Sequence, residues 1–185
     1  MKKLKHLFEF VLLIAVAAAA IFAFWSFYKG SVVPKSYGEL IEKYSDKYSV
    51  PSSYVYAVVK CESDFAPNAV SGAGAVGLMQ IMPETFTWLC GLSGSDYTPD
   101  MIADPDANLD MGVFYLSWLK SRFSSWDTVF AAYNAGHNRV RNWMEDPTIF
   151  KDGKFVNIPI KETRDYVEKV NDYASRYKKT YPELT

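Results

Sequence analysis

Histidine and cysteine are scarce in this chain, two of each in 185 residues: His6, His137, Cys61 and Cys90. Residues so few and so scattered do not make the Cys/His spacing of a zinc site, so no metal and no other cofactor is expected. Net charge is lacking as well, at −1, and the whole-chain value hides a split of +3 over residues 1–29 and −4 over the rest. A faintly acidic domain without a basic stripe is a poor match to phosphate backbones, which argues against nucleic acid as a partner. Glycine-rich phosphate loops of the Walker or Rossmann kind are missing. Strand signals are confined to residues 155–158, and there are no internal repeats.

Apolar residues are plentiful. They form 49% of the chain against 22% charged, enough for a packed core in one ordinary domain. From Phe10 to Tyr28 only Ser26 interrupts an apolar run of 19 residues. At the rise of an α-helix this spans roughly 28 Å, about the hydrocarbon thickness of a bilayer. Lys2, Lys3 and Lys5 precede the run, which by the positive-inside rule keeps residues 1–9 cytoplasmic and sends the rest outward. Ala18 and Ala20 would suit a signal-peptide cleavage site, but the apolar stretch continues through Phe22 and Trp25, so an uncleaved signal-anchor is favoured. Residues 29–36 read as a linker, and residues 37–185 as a mainly α-helical domain.

Within that domain the punctuation is helical. Helices are expected over residues 37–48, from Pro51, from Pro83, after the Asp104-Pro105 cap, after the Ser125 cap, over residues 139–144 and over residues 163–179. The second of them carries Val55, Val58, Val59 and Glu62 at i, i+3, i+4 and i+7, one apolar stripe ending in a carboxylate. A carboxylate there loses water and faces the negative end of the helix dipole. Both effects favour the protonated acid and raise its pKa, as a general acid near neutral pH requires. On spacing alone, a glutamate turned out to solvent remains the plainer alternative.

The flanking residues tip that balance. Glu62-Ser63 is followed by three glycines in residues 72–77, then Gly77-Leu78-Met79-Gln80, later Ala132-Tyr133-Asn134, and finally Glu162-Thr163-Arg164-Asp165-Tyr166-Val167. These four motifs, in this order, resemble the lytic transglycosylases with a soluble-lytic-transglycosylase (SLT) catalytic domain.

The resemblance implies a lysozyme-like, mainly α fold that cleaves peptidoglycan glycan strands at the β-1,4 bond from N-acetylmuramic acid to N-acetylglucosamine. Glu62 then protonates the leaving oxygen and takes a proton from the muramic C6 hydroxyl, which attacks C1 and closes a 1,6-anhydro ring. No second carboxylate is expected at the site, since the nucleophile is intramolecular, and Asp64 is read as structural. Gly77, Leu78, Met79 and Gln80 are expected to line the cleft, with Gln80 holding an acetamido group or hydroxyl and Met79 either wall or contact. Ser63 is either a helix cap or a sugar ligand. The Tyr133 hydroxyl is expected at the Glu62 carboxyl, Asn134 in the turn before Gly136, Tyr166 near the acid, and Glu162 as a structural anion at a helix start. None of the tryptophans is nominated as a sugar platform. Cys61 and Cys90 are expected to form a disulfide across the cleft wall, the alternative being two buried thiols. The competing functions are a hydrolytic goose-type lysozyme and an inactive, membrane-tethered glycan-binding scaffold.

Overall fold

The computed structural model describes residues 12–22 and 33–184. The chain divides into two compact units, one ending at Pro34 and the other running from Lys35 to Thr185. In the first, residues 12–22 are helical, with apolar side chains such as Leu13 and Phe22 exposed. Residues 1–9, the remainder of the 10–28 run and residues 29–32 of the linker lie outside the described residues. Among the described residues, no helix is long and apolar enough to cross a membrane.

The second unit is mainly helical. Its elements are α1 (Gly38–Tyr48), α2 (Ser52–Ser63), α3 (Pro83–Ser93), a 3-10 turn (Pro99–Ala103), α4 (Pro105–Lys120), α5 (Trp126–Ala135), α6 (His137–Met144), the strands β1 (Phe150–Lys151) and β2 (Lys154–Phe155), and α7 (Lys161–Thr180). Helix starts follow local chemistry. The Asp104 carboxylate accepts from the backbone N–H groups of Asp106 and Ala107 at 2.9 and 3.0 Å, and Pro105 follows at the first helical position. Ser125 caps α5 through Thr128 N–H at 3.2 Å. Pro51 stands one place outside α2, as its N-cap, where the sequence suggests the first helical residue. The expected strand at 155–158 shares only Phe155 with β2. The hairpin is set instead by Asp152 and Gly153, whose φ values of 51° and 78° fit a two-residue primed turn.

Helix α4 is the central element, buried on most of its circumference from Ala107 to Leu119. It packs against α1, α3, α5 and the 3-10 turn. Its buried Asp110 is satisfied by Lys47, Tyr48 and Tyr97 at 2.9, 2.6 and 3.1 Å, so the charge is paired rather than stranded. Helix α2 lies along α7, with Tyr56 stacked on Tyr177 at 5.0 Å between centroids. Helix α5 closes against α7, and its Trp126 and Phe130 rings meet Tyr54 of α2. The ends of α2, α5 and α7 are thereby drawn together.

Replacing the α4 cap, Asp104→Ala, strands two amide donors and should cost about 1 kcal/mol. Urea unfolding should register this as a lower midpoint at unchanged slope.

Candidate active site

Glu62 occupies the last turn of α2, at the mouth of the glycine-rich loop. The backbone turns sharply there, with Asp64 and Phe65 both left-handed at φ 52° and 63°. The Asp64 carboxylate pairs with Lys60, a surface ion pair one helical turn back, in line with a structural role. Glu62 faces a cavity of about 280 Å³ that it shares with Cys61, Asn134, Glu162, Asp165, Tyr166 and Lys169. Its Oε1 accepts a hydrogen bond from the Tyr166 hydroxyl at 2.7 Å. Burial raises its pKa from 4.5 to about 7, partly offset by that hydrogen bond, which stabilises the ionised form. The carboxyl is therefore close to half protonated at neutral pH, poised to give or take a proton.

A second cavity, about 230 Å³, is lined by Gln80, Ile81, Met82, Thr85, Tyr115, Tyr133 and the stretch from Asn134 to Gly136. Asn134 lines both, so the two cavities adjoin in one cleft. A larger cavity of about 600 Å³ lies between α1 and Glu183-Leu184 and contains none of the motif residues.

Side chains around the cleft brace the loop of Gly77 to Gln80, of which Gln80 lines the second cavity while Gly77, Leu78 and Met79 are buried behind it. Ser63 Oγ donates to Leu78 O at 2.8 Å, Tyr133 Oη donates to Met79 O at 2.8 Å, and Met79 N–H donates to Asn108 Oδ1 at 2.8 Å. Gln80 Nε2 reaches the carbonyls of Ala69 and Gly77 at 3.0 and 2.9 Å. Gly77 has φ 84°, and a Cβ there would stand 2.4 Å from Asn108 Nδ2, so only glycine fits. Gly112 of α4 similarly makes room for Met79, whose Sδ would lie 2.2 Å from an added Cβ.

The profile of the Transglycosylase SLT domain matches residues 39–156. The soluble lytic murein transglycosylase of Escherichia coli K12 is 38% identical over 151 residues, which is 78% of this chain and 23% of that protein. The chain belongs to the transglycosylase SLT family. The membrane-bound lytic murein transglycosylase C of Serratia proteamaculans is 30% identical over 169 residues, covering 77% of this chain and 47% of that one. Among solved structures, the 70 kDa soluble lytic transglycosylase of Escherichia coli superimposes with TM-score 0.73 at 35% identity, over 80% of this chain and 25% of its own. An inactive glutamate-to-glutamine mutant of the lytic transglycosylase Slt from Pseudomonas aeruginosa gives 0.75 at 33%, over 83% and 25%. The chain thus spans about a quarter of the soluble relatives and about half of the membrane-bound one.

Against the family motifs, the SLT domain brings Glu62, Tyr166, Asn134 and Glu162 to one cavity and Gln80, Tyr133 and Asn134 to the next. Four expectations need correction. Tyr133 does not hydrogen-bond to Glu62; its hydroxyl is spent on Met79 O, and the tyrosine that reaches the acid is Tyr166. Gly77, Leu78 and Met79, expected to line the cleft, are buried and line neither cavity, whereas Asn134 sits in the last turn of α5 before Gly136, where its Oδ1 accepts from Thr163 Oγ1 at 2.8 Å and ties α5 to α7. Further carboxylates do line the cavity, Glu162 and Asp165, the latter paired with Lys161.

Cys61 and Cys90 are free thiols rather than a disulfide. Cys61 turns into the cavity beside α7 residues, whereas Cys90 is buried on α3, the helix packed on α4. Burial, with the nearby Glu62 charge second, pushes the Cys61 thiol up to about 12, so it stays protonated. Ser63 and Met79 serve the loop: one braces it, the other packs fully buried beneath it.

Asn108 is the residue that sequence reading missed. It is fully buried and bonds Met79 N–H, Val76 O and Ile102 O. Its signal was present, because it is a polar residue on the buried side of α4, the same anomaly that drew attention to Glu62. Asn108→Ala should leave the Met79 amide unpaired and open a void, costing roughly 2–3 kcal/mol. Thermal unfolding should show the loss, and thiol titration of the unfolded, non-reduced protein should return two free thiols per chain.

Proposed function

We propose that the chain is a membrane-anchored lytic transglycosylase of the cell envelope, cleaving peptidoglycan strands at the β-1,4 bond from N-acetylmuramic acid to N-acetylglucosamine. The observation that carries this reading is the Glu62 carboxyl, held by burial at a pKa of about 7 inside a cleft walled by the family's own motif residues. In this reading the protonated Glu62 gives its proton to the leaving glycosidic oxygen. The resulting carboxylate takes the proton of the muramic C6 hydroxyl as that oxygen attacks C1. Both events use one residue because the nucleophile belongs to the substrate, with the high effective concentration of an intramolecular group. The Tyr166 hydroxyl fixes the carboxyl's orientation and steadies its ionised form between the two proton transfers. The glutamate-to-glutamine change in the inactive Pseudomonas aeruginosa mutant is the same chemical alteration that this mechanism forbids.

The anchor rests on the 19-residue apolar run behind three lysines, with the catalytic domain on the outer side. Intact mass of membrane-extracted protein should show the full chain.

A second reading, hydrolysis by water, is favoured by Glu162 and Asp165 in the same cavity, since a hydrolase needs a second carboxylate. Product mass separates the two, because the anhydro product is one water lighter.

Glu62→Gln should lower turnover at least about a hundredfold, the amide having no proton to give. Wild-type turnover should fall as pH rises through about 7 and Glu62 ionises. Stability follows the same titration. The folded-state pKa lies above the unfolded value, so the native state binds more protons between pH 4.5 and about 7 and loses stability across that interval. Glu62→Gln should therefore be the more stable protein above pH 7, by roughly 3 kcal/mol, and the gain should shrink to nothing near pH 4. Thermal unfolding across that pH range reads it directly.

A further inference from the structure

Beyond the second cavity, three separate segments each carry an aromatic ring one step past a residue that lines it. On α3, Thr85 lines the cavity and Trp88 follows at i+3. On α4, Tyr115 lines it and Trp118 follows at i+3. At the start of α6, His137 follows Gly136. Residues three apart share a helix face, so each helix continues its cavity-lining face outward with a tryptophan. The rings meet. Trp88 stands edge-on to Trp118 at 4.9 Å and to Tyr115 at 6.1 Å, and lies nearly parallel to His137 at 6.3 Å with an interplanar angle of 16°.

Trp88 is nonetheless 41% exposed, so part of the ring stays open to solvent while three aromatic neighbours grip it. Trp118 is braced in turn by the Arg122 guanidinium, 3.6 Å above its ring. Burial and the nearby Arg141 and Arg122 charges lower the His137 pKa, favouring its uncharged ring. The outcome is an interlocked aromatic surface that adjoins the cleft through Tyr115 and is flanked by the Arg122 and Arg141 charges. A flat pyranose face, lined with C–H groups, complements the electron-rich face of such a ring. Because the surrounding rings already fix the indole, little side-chain entropy is lost on binding.

We infer that Trp88, supported by Trp118, Tyr115 and His137, forms a saccharide-stacking subsite that holds a sugar of the glycan strand beyond the pair whose bond is broken. The inference rests on the glycan-cleaving function proposed above and extends that site along the strand. The subsite favours long strands over short ones and leaves the chemical step at Glu62 untouched.

Steady-state kinetics of the full chain in detergent micelles test it, on long glycan strands and on a tetrasaccharide. Trp88→Ala should raise KM for long strands about tenfold, with kcat and the tetrasaccharide rate within about twofold of wild type. Trp88→Phe should restore most of the KM. An unchanged KM on long strands, or an equal loss on both substrates, overturns the subsite. If wild type cleaves neither substrate, the proposed function fails instead, and binding then decides the subsite by itself. In the Glu62→Gln chain, the Trp88 indole N–H resonance, assigned by its loss in Trp88→Phe, should shift on adding an N-acetylglucosamine hexamer. A resonance that stays in place overturns the subsite.

Discussion

The structure is organised around keeping one carboxylic acid short of water. A glutamate at a helix end would ordinarily ionise below pH 5. Glu62 does not, because α2 delivers it into a cavity closed by α5 and α7, and the desolvation outweighs the one hydrogen bond that favours its charge. That arrangement depends on helix packing at some distance. The Tyr56–Tyr177 stack sets α2 against α7, and the Asn134–Thr163 hydrogen bond ties α5 to α7 near the acid. The Tyr166 hydroxyl also reaches a pKa well above its ordinary value, through burial and the neighbouring Glu62 charge, so it remains a donor while Glu62 gains and loses its proton.

Beside the acid's own helix end, the loop of Gly77 to Gln80 is irregular backbone that has to behave like regular structure. Backbone groups away from a helix or sheet need partners, and here side chains from four segments supply them: Ser63, Gln80, Asn108 and Tyr133. Several of the motif residues thus spend their hydrogen bonds inside the protein. Their contribution is to brace the loop that carries Gln80 into the second cavity. The two glycines at its closest approaches, Gly77 against Asn108 and Gly112 against Met79, show how tightly that loop is seated on α4.

The rings of α3 and α4 lie where the cleft runs out, and they differ in character from the rest of the core. Tyr44, Tyr56 and Phe130 are almost wholly buried, whereas Trp88 keeps a large share of its surface while three neighbours grip it. Rigid exposure of that kind suits recognition more than stability.

Much of the fold was legible in the sequence because the signals are local. Caps at Asp104 and Ser125, the proline opening α3 and the apolar stripe of α2 act within one or two helical turns, and they put the helices where they are found. Glu62 was legible for the same reason, as a carboxylate on an apolar stripe. The Asp-Gly turn of the hairpin was equally local, and the strand was nonetheless sought a few residues too late. What sequence could not decide is which of two tyrosines reaches the acid, whether Cys61 meets Cys90, and how many carboxylates share the cavity. Each depends on how helices far apart in the chain rotate against one another. A rotation of one residue position turns a side chain by about 100°, enough to aim Tyr133 at a backbone carbonyl and leave Glu62 to Tyr166.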